Sequence, residues 1–223
     1  MTDSIALGYS VKQTEVAVEG GDSLQIRSLL NNQQFFDPWG LASAQGISSA
    51  TWPLFGLVWP SAQKMADLMQ TWQFQNQRVL EIGCGLGLAS LVLHRRDIDI
   101  TASDCHPLTQ TFLQKNTQLN HLLDMKYQTG HWARSNLDLG KFDLIIGSDV
   151  LYERDQPGQL AAFIGRHANM HCTVLIVDPN RSNRSAFMQS MKAIGYICHE
   201  SQIVAPLHDM SPYRGRLLHF QIH

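Results

Sequence analysis

The chain has 223 residues, of which 44% are hydrophobic and 16% charged, the balance of a globular protein with one α/β domain and an extension rather than of a disordered or fibrous chain. Lys and Arg number 17 against 19 Asp and Glu, a net charge of −2, so the overall charge offers no basic footprint for nucleic acid. The cysteines Cys84, Cys105, Cys172 and Cys198 form no C-x-x-C pair, and their spacing suits neither a zinc ribbon nor a secreted disulfide framework. The first ten residues, MTDSIALGYS, carry an early acid and no long apolar run, so no signal peptide is expected. No apolar run approaches the ~20 residues that cross a bilayer. A soluble, cytoplasmic protein without a membrane partner is expected.

From Tyr9 to Leu29 the pattern predicts a β-hairpin. Val16 and Val18 alternate with polar residues, as do Leu24 and Ile26, and Gly20-Gly21-Asp22 between them tolerates positive φ. Residues 31–60 are irregular but hold Phe35, Phe36, Trp39, Trp52, Phe55 and Trp59, too many aromatics for a solvated linker. Residues 1–60 are therefore read as an extension packed on a main domain of residues 61–223.

A helix is expected from Ser61, with that serine as N-cap and Ala62, Met65, Met69 and Trp72 on one face,. Strands and helices then alternate. Strands are expected at Arg78–Ile82, Ile98–Ala102, Met125–Thr129, Phe142–Gly147 and Cys172–Val177. Helices are expected at Leu88–His94, Pro107–His121 with proline in its first turn, Gln159–Ala168, and Ser185–Ile194 stopped by Gly195,. Two late strands, around His199–Val204 and Leu217–Ile222, have no helix between them. This order predicts a doubly wound, mostly parallel seven-stranded α/β sheet of Rossmann-like type, with an antiparallel pair at one edge.

The most informative stretch is Val79-Leu80-Glu81-Ile82-Gly83-Cys84-Gly85-Leu86-Gly87. It reads as a strand, a glycine-rich turn and a helix start, where backbone can approach a ligand and N–H groups face it. Read as the dinucleotide fingerprint G-x-G-x-x-G/A, it puts Leu88 where a small residue belongs. Asp104 follows Gly83 by 21 residues at the end of the next strand, suited to accepting hydrogen bonds from ribose hydroxyls or to capping the following helix.

The pattern E-x-G-x-G-x-G resembles the first motif of the class I, seven-β-strand S-adenosylmethionine-dependent methyltransferases. That resemblance implies S-adenosylmethionine as cofactor, held by Glu81, Gly83, Cys84, Gly85 and Asp104. Ser148-Asp149-Val150-Leu151-Tyr152, after the strand FDLIIG, contains D-x-x-Y and resembles a narrower branch, the small non-SET protein methyltransferases, many of which modify lysine. Trp59-Pro60-Ser61-Ala62, the pair Asn116 and Asn120, and His131-Trp132 resemble further marks of that branch. It often has an acid where His131 stands. The branch implies a protein substrate, with a small amine or other metabolite as the alternative acceptor and a cofactor-binding module without turnover as the third reading.

Methyl transfer from a sulfonium is an in-line displacement that needs a neutral amine. Asp149 is the candidate to orient or deprotonate it; a helix N-cap is the plainer reading. Tyr152 could line the acceptor channel, or be a packed aromatic with a satisfied hydroxyl. Under the resemblance, Trp59 and Trp132 wall the cofactor and Ser148 lies near its reactive end. No histidine shows metal-ligand spacing, so no metal is expected. Arg181, in Asp178-Pro179-Asn180-Arg181, is read as fixing its loop by an ion pair. The basic triplet His94-Arg95-Arg96 is read as compensating a helix dipole. No N-P-P-Y-like stretch follows the fourth strand, so DNA is disfavoured.

Overall fold

The computed structural model describes residues 8–134, 136–152, 157–207 and 210–222; the first seven residues of the expected extension lie outside them. Two strands, β1 (Val11–Val16) and β2 (Leu24–Leu29), form the predicted hairpin. A short helix α1 (Leu41–Ala44) and a 3-10 turn (Trp52–Gly56) break up the irregular stretch. There follow α2 (Pro60–Thr71), β3 (Val79–Ile82), α3 (Leu88–Arg95), β4 (Ile100–Asp104), α4 (Thr109–Leu119), β5 (Lys126–Thr129) and β6 (Phe142–Ser148). The chain ends with α5 (Pro157–His167), β7 (Ala168–Asp178), α6 (Arg184–Ala193), β8 (Tyr196–Leu207) and β9 (Met210–Ile222).

The main sheet has the order β5-β4-β3-β6-β7-β9-β8. The first five strands run parallel, and β9 is antiparallel to both β7 and β8. Alternate residues feed two cores. Val79, Leu144, Ile146, Leu175 and Val177 face α2, α3 and the hairpin. Leu80, Ile145, Val174, Ile176 and Phe220 face α5 and α6. The chain leaves β3 towards β4, then returns to place β6 on its other side. The carboxyl ends of β3, β4 and β6 thus meet at the topological switch point, where such sheets bind ligands.

Hydrogen bonds from side chains fasten the hairpin to this sheet. Asn116 Oδ1 accepts the N–H of Arg27 at 2.7 Å, and Asn120 Oδ1 accepts that of Gln25 at 2.9 Å. Asn120 Nδ2 returns a bond to the Gln25 carbonyl at 2.8 Å. Two asparagines one helical turn apart on α4 therefore act as a partner strand for the open side of β2. Leu24, Ile26 and Leu29 are fully buried beneath.

Several boundaries differ from the sequence expectation. Ser61 is not the N-cap of α2; Trp59 holds that place with Pro60 after it. The Ser61 hydroxyl is instead taken by Tyr213, at 2.9 Å. Helix α4 begins at Thr109, after Pro107, because His106 turns the chain: its Nδ1 accepts the Leu108 N–H at 3.2 Å. Strand β7 begins four residues before Cys172, in a half-exposed stretch without an apolar run. Strands β8 and β9 are each about twice the expected length, because beyond the stretch where β9 also pairs with β7 they continue to pair with each other; Val204 there is 61% exposed. Within the basic triplet, His94 and Arg95 lie in the last turn of α3 as expected, while Arg96 donates to the carbonyls of Met69 and Trp72 at the end of α2, and Arg95 also donates to that of Asp22 in the hairpin turn.

Candidate active site

A cavity of ≈ 400 Å³ opens at the switch point, within the range of small-molecule sites. Its floor is the turn from β3 into α3. Gly83, Gly85 and Gly87 all have left-handed φ, at 58°, 51° and 73°, which explains the three alternating glycines. A Cβ on Gly85 would lie 2.8 Å from the carbonyl oxygen of Phe55. Its smallness therefore admits the extension as well as any ligand.

Asp104, at the end of β4, lines this cavity. Its Oδ2 accepts the Gly85 N–H at 3.0 Å and its Oδ1 that of His106 at 2.8 Å. It thus ties the glycine turn and starts the loop to α4, but it does not cap that helix, whose N-cap is Leu108 without a side-chain bond. Burial pushes its carboxyl above the usual range, while N–H groups of His106, Gly85 and Cys105 favour the charged form,.

Glu81 is not brought to the cavity. It is fully buried, and its Oε2 takes the Ser90 N–H at 2.8 Å together with the Ser90 hydroxyl. It pins α3 to β3 from beneath. Burial raises its carboxyl to about 7, against the pull of the Ser90 bonds. Cys84 lines the floor as a buried thiol, pushed up by burial and then by the charges of Asp104 and Glu81.

Ser148, at the end of β6, and Asp149 and Tyr152, just after it, line another part of the cavity. Strands β4 and β6 flank β3, so Asp104 and Asp149 stand about two strand spacings, ~10 Å, apart. The Asp149 carboxylate is held bidentately by Arg181, Nε to Oδ1 at 2.8 Å and Nη2 to Oδ2 at 3.0 Å. Arg181 does make an ion pair, and its partner is the candidate catalytic acid. Tyr152 is 42% exposed.

Trp59 and Trp132 both line the cavity. Trp59 Nε1 donates to the Leu54 carbonyl at 2.8 Å, fixing its plane. Trp132 flanks the floor, 3.7 Å from where a Gly83 Cβ would sit. The remaining wall comes from the extension, through Gln45, Ile47, Thr51, Leu54 and Phe55. His131 and Arg134, after β5, reach the Gln45 carbonyl and its side chain, at 3.4 and 3.0 Å. Phe55 stacks on His106 at 3.7 Å between ring centroids. Burial pushes His106 down to about 3, so the stacked ring is neutral. Sequence reasoning gave Gln45, Ile47, Thr51, Leu54 and Phe55 no place in the site; their one signal was the density of aromatics between 31 and 60.

A family model described as "Lysine methyltransferase" matches residues 44–194. A calmodulin-lysine N-methyltransferase of Arabidopsis thaliana is 26% identical over 201 residues, covering 82% of this chain and 64% of its own. The electron transfer flavoprotein beta subunit lysine methyltransferase of Mus musculus is 27% identical over 179 residues, with 78% and 68% covered. The chain thus spans less than two thirds of the length of the first of these. Among solved structures, a magnesium protoporphyrin IX methyltransferase from Synechocystis PCC 6803 with bound SAM superposes with a TM-score of 0.56 at 16% identity, covering 75% of this chain and 86% of that one. That likeness establishes the fold. Among the described residues, no helix is long and apolar enough to cross a membrane.

Proposed function

The chain belongs to the lysine methyltransferase family, and from that premise we propose that it binds S-adenosylmethionine in this cavity and transfers a methyl group to a lysine side chain of a protein. The observation that carries the reading is one cavity lined by the glycine turn and Asp104 at one side and by Asp149 and Tyr152 at another. The donor set suits the cofactor: a carboxylate on the cavity wall to accept from ribose hydroxyls, apolar walls from Trp59, Leu86, Trp132 and Val150, and a floor of tight backbone. When bound, S-adenosylmethionine supplies an electrophilic methyl group on a sulfonium.

In this reading Asp104 holds the nucleoside part and Trp132 and Trp59 wall it, with Gly83, Cys84 and Gly85 as the floor. Ser148 lies near the reactive end. Glu81 acts at a distance, by holding the turn through Ser90. Asp149 accepts a hydrogen bond from the substrate amine and orients its lone pair. Tyr152 borders the channel by which the lysine enters. The extension, within residues 1–60, supplies the wall that keeps water out, and residues 61–223 carry the cofactor site and Asp149. The relatives' names, with calmodulin and an electron transfer flavoprotein subunit in them, support a protein as acceptor. Four free cysteines fit a reducing, cytoplasmic setting.

Asp149→Asn tests the assignment. It keeps the size and one acceptor oxygen but removes the charge. Single-turnover transfer should fall by roughly 10²–10⁴, with cofactor affinity by calorimetry nearly unchanged. Near-normal transfer would remove Asp149 from the mechanism.

A further inference from the structure

Asp149 has φ 53°, a left-handed conformation that aspartate adopts more readily than most non-glycine residues. Its N–H donates to the Val177 carbonyl at 2.9 Å. Its carboxylate meets the two-pronged guanidinium of Arg181, and both side chains line the cavity. The Asp149 side chain is only 10% exposed, against 40% for Arg181.

Arg181 is itself held from behind. Its N–H donates to Oδ2 of the fully buried Asp178 at 2.8 Å. The neighbouring Asn180 accepts from Arg184 and from Arg216, each at 3.0 Å. The loop after β7 is therefore a fixed mount, built from α6 and β9, that aims a guanidinium at the end of β6.

We propose that Arg181 is a positioning residue for methyl transfer, whose fork sets the Asp149 carboxylate at the angle that meets the acceptor amine. The proposal rests on the reading of Asp149 given above. The fork uses one lone pair on each carboxylate oxygen and leaves another on each for the amine. It removes the free rotation about χ2 that a lone aspartate retains. Arginine stays charged at every working pH, and a lysine cannot reproduce its two parallel bonds. Residue type at position 181 therefore matters, beyond its charge.

The test uses the full chain and follows tritium from labelled S-adenosylmethionine into the protein fraction of a cell lysate, with cofactor affinity by calorimetry alongside. Arg181→Ala should slow transfer at saturating cofactor by roughly 10–100-fold, the cost of a misplaced group, and leave cofactor affinity within about twofold. Arg181→Lys should recover only part of the loss. The double variant Asp149→Asn with Arg181→Ala should be no slower than Asp149→Asn alone, since Arg181 acts through that carboxylate. If Arg181→Ala does not fold, Arg181→Lys decides, and wild-type speed in it overturns the proposal. Normal transfer by Arg181→Ala, full additivity in the double variant, or a parallel loss of cofactor affinity would overturn it too. A wild type that binds cofactor yet labels no protein overturns the functional reading, and this proposal with it.

Discussion

Replacing Glu81 by glutamine should change how stability depends on pH. Its carboxyl is fully buried and raised from 4.5 to about 7, chiefly by burial. A carboxyl with a raised folded-state value contributes its full stability below the unfolded value and loses it as pH rises through the folded value. The window is therefore pH 4.5 to about 7. Each pH unit between the two values is worth about 1.4 kcal/mol, so ionising Glu81 in place costs on the order of 3 kcal/mol, most of it between pH 5 and pH 8. Glutamine does not titrate and escapes this loss. It keeps an acceptor for the N–H and hydroxyl of Ser90, at the cost of burying an amide NH2. The assay is urea unfolding of both proteins, without cofactor, at pH 5, 6, 7 and 8. The variant should be the weaker at pH 5 and gain on the wild type by roughly 2–3 kcal/mol by pH 8. Parallel profiles across that range would refute the buried, raised carboxyl.

Asp104→Ala should lower S-adenosylmethionine affinity at least about tenfold by calorimetry, because a hydrogen bond to a charged group is worth roughly 1.5–3 kcal/mol; unchanged affinity would move the nucleoside elsewhere. Asn116→Ala should destabilise the fold by about 1–3 kcal/mol, since it strands the Arg27 N–H and its own side chain is fully buried,. Hydrogen exchange should quicken at the Arg27 amide in Asn116→Ala and at the Gln25 amide in Asn120→Ala. Unaltered protection at both amides would show that the hairpin docks by other means.

Most of the main sheet could be read from the chain because its signals are local. FDLIIG and CTVLIV are short apolar runs between helical periods, and they sit at the centre of the sheet as β6 and β7. The glycine turn and Asp104 were legible for the same reason: positive φ needs glycine, and the acid ends a strand. What escaped depends on partners far apart in sequence. Asn116 and Asn120 were visible as a pair, but their bonds go to residues about ninety positions earlier. Glu81 looked like a ligand acid because nothing local announces that Ser90 folds over its carboxylate. Arg181 was expected to fix a loop; 32 residues separate it from the carboxylate it holds. Residues 31–57 have no period, because they pack as single aromatics, so their place on the cavity wall could not be read.

The most direct measurement of the central claim is tritium transfer from labelled S-adenosylmethionine into a whole lysate by the purified chain, split into macromolecular and small-molecule fractions. The account predicts label in the protein fraction, released on acid hydrolysis as methylated lysine and sharply reduced in the Asp149→Asn variant. Label confined to small molecules, or to protein residues other than lysine, would contradict it.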